Sequence, residues 1–166
     1  MGIYIAFGAN QGDPLHTFKS AVARLSERGV ECLSMSGAWQ SPAWPKGSGQ
    51  DEYINACAEV RFGGTPVDLL RILHSIEASL GRVRGEKNAP RTLDLDVLDF
   101  NQQIITSDAI TIPHPRMMDR GFVLLPLFQI APHWKNPRSG ESLDKAIAKL
   151  PLADIAPVNY LGRIEL

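Results

Sequence analysis

The sequence of 166 residues is poor in cysteine, in excess charge of either sign and in long apolar runs. It contains two Cys residues, and 17 Lys and Arg residues are balanced by 18 Asp and Glu residues, for a formal net charge of −1. A nonspecific binder of nucleic acid or of anionic membranes carries a basic excess, so neither partner is expected. The most apolar window, residues 122–131, is far shorter than the roughly 20 residues of a membrane-spanning helix. Any anionic ligand must therefore meet a local cluster of basic side chains.

Several sequence motifs that mark known classes of protein are also absent. The N-terminus has neither the basic segment nor the small-residue cleavage site of a secretory signal, and Cys32 and Cys57 lie in apolar runs that suit reduced core residues. Walker A, dinucleotide-binding and nucleophile-elbow motifs are absent, and His114 has no partner at metal-ligand spacing. The expectation is a cytoplasmic enzyme or binding protein without a zinc site.

Hydrophobic periodicity predicts six elements in the order β-α-β-β-α-β. Strands are expected over residues 3–7, 31–41, 53–62 and 91–100, and helices from Asp13 to Gly29 and from Thr65 to Gly81. This order predicts an α+β fold, a ferredoxin-like βαββαβ sheet with helices packed on one face. Residues 110–166 are expected to add C-terminal helices and an irregular tail. With no repeat and no domain boundary in view, residues 1–166 are predicted to form one domain, expected to be monomeric.

The most informative segment is residues 87–98, which reads KNAPRTLDLDVL. Alternate side chains of a strand share a face, so Leu93, Leu95 and Val97 are expected on the core face and Asp94 and Asp96 on the other. Two adjacent carboxylates repel each other unless a cation lies between them, and hard divalent ions such as Mg²⁺ favour oxygen ligands. A solvated strand face is the alternative interpretation of this pattern.

The strand over residues 53–62 repeats this geometry. Its alternation places Tyr53 and Asn55 on the face opposite the core, where a ring can stack and an amide can both donate and accept hydrogen bonds. Such a pair suits a flat heterocycle with amide-like edges, and Phe122 could cover the other side of it. An edge pair that binds no ligand is the alternative.

Basic residues accompany the acidic pair. Arg82, Arg84 and Arg91 are close to it in sequence, and His114, Arg116 and Arg120 are candidates to bring positive charge from elsewhere. Phosphoryl transfer requires metal ions and cationic side chains around the phosphates, because its catalysis is mainly positioning and electrostatic stabilisation. For each cation taken alone, a surface position is the alternative.

These motifs together resemble the 6-hydroxymethyl-7,8-dihydropterin pyrophosphokinase family of the folate pathway. The resemblance extends over roughly residues 1–135, from IYIAFGANQGD through YINA and GRVR to PHPRM and RGFVL. It implies transfer of a diphosphate from ATP, the co-substrate, to the pterin alcohol, with release of AMP. This chain departs from the common family pattern at His74, often Gln, and at Asn88, where an aromatic residue is frequent.

The resemblance also implies roles for individual residues. Asp94 and Asp96 would hold two Mg²⁺ ions, and Arg82 and Arg91 would be catalytic. The pterin would be bound by Ser41, Pro42, Trp44, Tyr53, Asn55 and Phe122, and ATP by His74, Glu77, Arg82, Arg84, Arg91, His114 and Arg120. Segments 8–13, 42–50 and 81–90 are expected to close over the substrates and exclude water.

Two binding modules remain as alternatives on the same topology. An RNA-recognition domain displays an aromatic strand motif, and the nearest fragment, residues 120–123, departs from that motif after its third residue. Outward-facing carboxylates would also repel RNA phosphates. The other alternative is a pterin or nucleotide binder that lacks catalysis.

Overall fold

The computed structural model describes residues 1–43, 49, 51–80 and 93–166. Four residues with predicted roles lie outside the described residues, namely Trp44, Arg82, Arg84 and Arg91. The greater part of segment 42–50 and the whole of segment 81–90 lie outside them as well, so closure of these segments stays a prediction.

The elements follow the predicted order, except that the strand predicted over residues 31–41 is divided in two, and further elements follow residue 100. The strands are β1 (Ile3–Ala9), β2 (Glu31–Met35), β3 (Ala38–Ser41), β4 (Tyr53–Arg61), β5 (Asp94–Phe100), β6 (Ile105–Thr106), β7 (Thr111–Ile112) and β8 (Asn159–Gly162). The α-helices are α1 (Pro14–Glu27), α2 (Pro66–Ser79), α3 (Gly121–Ile130), α4 (Leu143–Lys149) and α5 (Leu152–Ile155), with a 3₁₀ turn at Met117–Asp119.

Local signals fix the starts of the first two helices. The Asp13 side chain accepts a hydrogen bond from the His16 amide at 3.2 Å, and Pro14 occupies the first turn. Thr65 and Asp68 form a reciprocal capping box, with both hydrogen bonds at 3.2 Å. Each cap satisfies an amide that the helix itself leaves without a carbonyl partner, so both starts could be predicted from sequence.

The main sheet has the strand order β5-β1-β4-β3-β8, with β2 also paired to β4. Strand β1 runs antiparallel to β4 on one side and to β5 on the other. Since β2 and β3 together take the place of the second predicted strand, this is the predicted ferredoxin-like arrangement with one further strand at the edge. The predicted α+β class is confirmed.

The sheet carries a hydrophobic cluster on each face. On one face, α1 and α2 pack on the inward side chains of β1, β4 and β5. On the other face, α3 and α4 cover a second cluster that includes Cys57 and Leu98. The additional C-terminal helices are therefore present and occupy the face that the first two helices leave uncovered. Both cysteines are free thiols, as expected.

The predicted strand over residues 31–41 is interrupted at Ser36 and Gly37. The Ser36 hydroxyl accepts a hydrogen bond from the Cys57 amide at 2.9 Å and so continues the contact with β4. A side chain at Gly37 would overlap Tyr160 and the carbonyl oxygen of Gly162, both in β8. The break therefore lies where the distant strand β8 comes close to the backbone, a contact that the local pattern of residues 31–41 does not indicate.

The tail was predicted to be irregular. From α5 onward it instead forms a short helix and the edge strand β8. Residues of β8 pair antiparallel with β3, in a register that joins Trp39 to Tyr160 and Gln40 to Asn159. The rings of Trp39 and Tyr160 are 5.1 Å apart between centroids. Among the described residues, no helix has both the length and the apolar character needed to cross a membrane.

Candidate active site

A pocket of about 790 Å³ opens on the sheet face opposite α1 and α2. Its walls come from strands β1, β3, β4 and β5, from the start of α3 and from the C-terminal tail. Nine of the residues singled out from the sequence line it, which are Ser41, Pro42, Tyr53, Asn55, Asp94, Asp96, Arg116, Arg120 and Phe122. The fold thus collects in one place side chains that are up to 81 positions apart in sequence, from Ser41 to Phe122.

The acidic pair lies at the start of β5, half-exposed toward the pocket. Leu93 and Leu95 point the other way and are almost completely buried, at 0% and 1% exposure. Opposite the two carboxylate-bearing residues, β1 presents only small residues, Gly8 across from Asp94 and Ala6 across from Asp96. These small neighbours leave space above the carboxylates for a ligand of considerable size.

Glu77 supports this strand from the side of the helices. It lies in α2, is 1% exposed, and its carboxylate accepts a hydrogen bond from the Leu95 amide at 2.9 Å. That amide lies between the two acidic residues in sequence, so the contact fixes the backbone that carries them. Glu77 does not line the pocket with Asp94 and Asp96, and its predicted contact with ATP stays a prediction.

The Asn55 amide has a defined orientation. Its nitrogen donates to the Trp39 carbonyl at 3.1 Å and to the Ser41 hydroxyl at 2.9 Å. Its oxygen faces the other way, 3.8 Å from the position that a Cβ on Gly8 would occupy. Asn55 is 5% exposed and lines the pocket, so it offers a hydrogen-bond acceptor to a donor group of a bound ring.

Two aromatic rings line the pocket from different elements, Tyr53 from β4 and Phe122 from α3. The guanidinium carbon of Arg120 lies 5.6 Å from the centroid of the Phe122 ring, a cation–π arrangement. Arg120 therefore brings positive charge to the edge of the aromatic surface, where a ligand with both a flat ring and an anionic group would need it.

His114 is half-buried beside this charged region. Burial, the largest cause, and the Arg120 and Arg116 cations together lower its pKa to about 4, against the opposing effect of the Asp94 carboxylate. The ring is therefore neutral at pH 7. Its Nδ1 accepts a hydrogen bond from the Arg116 amide at 3.2 Å, which assigns the proton to Nε2. His114 can thus act as a neutral donor of one hydrogen bond.

His74 is placed differently from the other predicted residues. It lies on α2 with its side chain exposed, one turn before Glu77, and it does not line the pocket. Its predicted contact with ATP stays a prediction.

The tail contributes to the pocket, although no sequence motif predicted it. Ala153, Asp154, Pro157 and Val158 form part of its wall, and Asp119 is a further lining residue that no sequence motif indicated. The tail is seated on the first residue of α3, because a side chain at Gly121 would overlap the carbonyl oxygen of Asp154 and lie 3.0 Å from the Ile155 side chain. Its composition carries no motif that could have revealed this position.

Substitution of Gly121 with Ala is expected to lower the free energy of unfolding by about 1–3 kcal/mol, because the added methyl group must displace the tail or tilt α3. Chemical denaturation monitored by circular dichroism measures this change. Gly63→Ala is the matched control, since a Cβ at Gly63 would meet nothing within 4 Å. If the two variants were equally stable, the close seat of the tail on α3 would be incorrect.

The donor set of the pocket fits a hard divalent cation. The described part of the chain holds no group of three or more His, Cys, Asp or Glu side chains that could bind a metal ion. A site with two carboxylates from the protein requires further oxygen ligands from water or substrate phosphates, which is how Mg²⁺ is commonly held. Asp94 and Asp96, side by side on the floor of the pocket, supply such a partial set.

Comparison with known protein sequences identifies related proteins over most of the chain. Residues 4–132 match the family model of 7,8-dihydro-6-hydroxymethylpterin-pyrophosphokinase. A 2-amino-4-hydroxy-6-hydroxymethyldihydropteridine pyrophosphokinase of Synechocystis is 39% identical over 158 residues, covering 95% of this chain and 80% of that protein. A protein of the same name from Methylorubrum extorquens is 35% identical over 156 residues, covering 93% of this chain and 97% of that protein.

Comparison with solved structures supports the fold. A Plasmodium falciparum HPPK-DHPS structure with pteroate superposes with a TM-score of 0.69 at 12% sequence identity, covering 89% of this chain. The chain spans 42% of the length of that protein. At this identity the likeness concerns the fold, and it extends beyond residue 132, where the family match ends.

Proposed function

Because the chain belongs to the 7,8-dihydro-6-hydroxymethylpterin-pyrophosphokinase family, we propose that it transfers the diphosphate group of ATP to the hydroxyl of 6-hydroxymethyl-7,8-dihydropterin and releases AMP. The observation that carries the proposal is that two carboxylates and an aromatic and amide surface line the same pocket. The tail and the first strand both line this pocket, which supports residues 1–166 acting as one domain.

The pterin is assigned to the part of the pocket between β4 and α3. Tyr53 and Phe122 offer faces for stacking, which suits a flat bicyclic ring. The Asn55 oxygen accepts a hydrogen bond from an N–H group at the ring edge, and the Trp39 carbonyl, which can only accept, fixes the amide in that orientation. Pro42 lies next to Ser41 and closes the edge of the same wall. This end of the pocket provides recognition by shape and hydrogen bonding.

The ATP phosphates are assigned to the part of the pocket that holds Asp94, Asp96 and Arg120. Mg²⁺, held by the two carboxylates and the phosphates, would neutralise phosphate charge and polarise the phosphorus under attack. The Arg120 guanidinium can pair with a phosphate oxygen, and neutral His114 can donate a hydrogen bond through Nε2. Arg82, Arg84 and Arg91 are proposed to complete the positive charge around the phosphates.

The reaction needs little covalent chemistry from the protein. The pterin hydroxyl oxygen forms a bond to the β-phosphorus, and the bond from that phosphorus to the oxygen bridging the α-phosphate breaks. The hydroxyl proton is released, the diphosphate is retained on the pterin, and AMP leaves. The side chains act by aligning the hydroxyl with the phosphorus and by stabilising charge as it moves, which is the usual basis of catalysis in phosphoryl transfer.

The direct test mixes the protein, ATP, Mg²⁺ and the hydroxymethyl-dihydropterin and separates the nucleotides by chromatography. AMP is expected to accumulate in step with pterin diphosphate and only when the pterin is present. Release of ADP would indicate transfer of one phosphoryl group and contradict the proposal. Binding of both ligands without AMP formation would favour the alternative of a non-catalytic binder.

A further inference from the structure

Gln129 makes an unusual connection between the two walls of the pterin pocket. It lies near the end of α3, and its side-chain oxygen accepts hydrogen bonds from the Gly37 amide at 3.0 Å and from the indole nitrogen of Trp39 at 3.2 Å. Both donors belong to the segment that opens β3, about 90 positions earlier in the chain. One polar atom on the helix thus holds two groups of the strand.

The strand segment held by Gln129 is the one that orients Asn55. The carbonyl of Trp39 accepts one hydrogen bond from the Asn55 amide nitrogen, and the Ser41 hydroxyl accepts the other. A displacement of Trp39 would therefore move an acceptor on which the Asn55 orientation depends. Rotation of that amide by half a turn would present a donor to the pocket where an acceptor is required.

The same helix also carries Phe122, two turns before Gln129. Its position relative to β3 sets the distance between the Phe122 ring and the wall formed by Ser41 and Asn55. The contact of Gln129 with Gly37 and Trp39 is polar and directional. It is also remote from the acidic pair, because among the described residues the strand of that pair, β5, pairs only with β1 in the main sheet. Loss of the contact should therefore affect the pterin end of the pocket selectively.

We infer that Gln129 is a positioning residue for pterin recognition, which acts by holding β3 against α3 and thereby fixing the Asn55 acceptor. This inference rests on the proposed function and deepens it, since it assigns substrate affinity to a residue that does not line the pocket. Removal of the acceptor is expected to raise the KM for pterin about 5- to 20-fold, because two neutral hydrogen bonds are lost. The KM for ATP is expected to stay within about twofold of that of the starting protein.

The test compares three substitutions at or facing this contact. Gln129→Met keeps the length of the side chain and removes the acceptor, so the pterin KM is expected to rise. Gln129→Glu keeps an acceptor for both donors, so the pterin KM is expected to stay near that of the starting protein. Trp39→Phe removes one donor from the opposite side and keeps a ring, so it tests the contact even if Gln129→Met does not fold. Gln103→Met, at an exposed loop residue, is the matched control.

Two measurements separate the possible results. Steady-state kinetics give the KM for pterin and the KM for ATP. The inference would be overturned if both values rose equally in Gln129→Met, or if the pterin KM did not change. Proton exchange of the Trp39 indole, followed by NMR without substrates, is expected to accelerate in Gln129→Met and not in Gln129→Glu. If the starting protein formed no AMP while this exchange pattern was found, the proposed function would fail and the positioning contact would stand.

Discussion

Replacement of Asp94 or Asp96 with Asn is expected to lower turnover by about 10³-fold or more, because each carboxylate contributes charge that holds the cation stabilising the transferred phosphates. Asn keeps the shape of the side chain and removes the negative charge. Both residues are half-exposed on the pocket face, so the fold does not depend on burying them. The unfolding temperature is therefore expected to stay near that of the starting protein.

The measurement is the rate of AMP formation over a range of Mg²⁺ concentrations, together with thermal unfolding of each variant. Asp108→Asn is the matched control, since it makes the same charge change at an exposed residue outside the pocket. Near-normal turnover of either pocket variant would refute the assignment of the acidic pair to the metal. A loss of turnover that came with unfolding would be seen directly in the melting curve.

The acidic pair was predictable because strand alternation is a local property. Once residues 93–97 form a strand, three apolar side chains on one face leave Asp94 and Asp96 on the other. The same reasoning placed Tyr53 and Asn55 on the pocket face of β4, and the caps at Asp13 and Thr65 followed from sequence neighbours. In each case the information lies within a few residues of the feature that it determines.

Glu77 shows a signal that was present in the sequence but was interpreted differently. It follows Leu73 by four positions and Leu69 by eight, which places it on the buried stripe of α2. A carboxylate at such a position needs a hydrogen-bond donor in the interior, since burial without one is costly. The backbone amide of Leu95 supplies such a donor. The contact with ATP that the family resemblance implies for Glu77 stays a prediction beside it.

The tail and Gln129 could not be predicted in the same way. Their contacts join residues about 35 to 120 positions apart, and no periodicity specifies which distant segment a helix end or an edge strand will meet. The close approach of β8 to Gly37, at the break between β2 and β3, is a further contact of this kind. Features of this kind require the tertiary structure.

Replacement of Tyr53 with Ala is expected to weaken pterin binding by about 10- to 100-fold, equivalent to about 1.4–2.7 kcal/mol, because the ring face that stacks on the pterin is removed. Phe122→Ala is expected to have a similar effect on pterin affinity and an additional one on ATP, since it also frees the Arg120 guanidinium from the ring. ATP affinity should change little in Tyr53→Ala.

Titration calorimetry with pterin and ATP measured separately distinguishes these effects. Phe128→Ala is the matched control for the helix, because Phe128 lies in α3 but is 39% exposed and does not line the pocket. Tyr53→Phe keeps the ring and is expected to retain most of the pterin affinity. If Tyr53→Ala and Phe122→Ala both bound pterin as tightly as the starting protein, the flat-ring site would have to lie elsewhere than between β4 and α3.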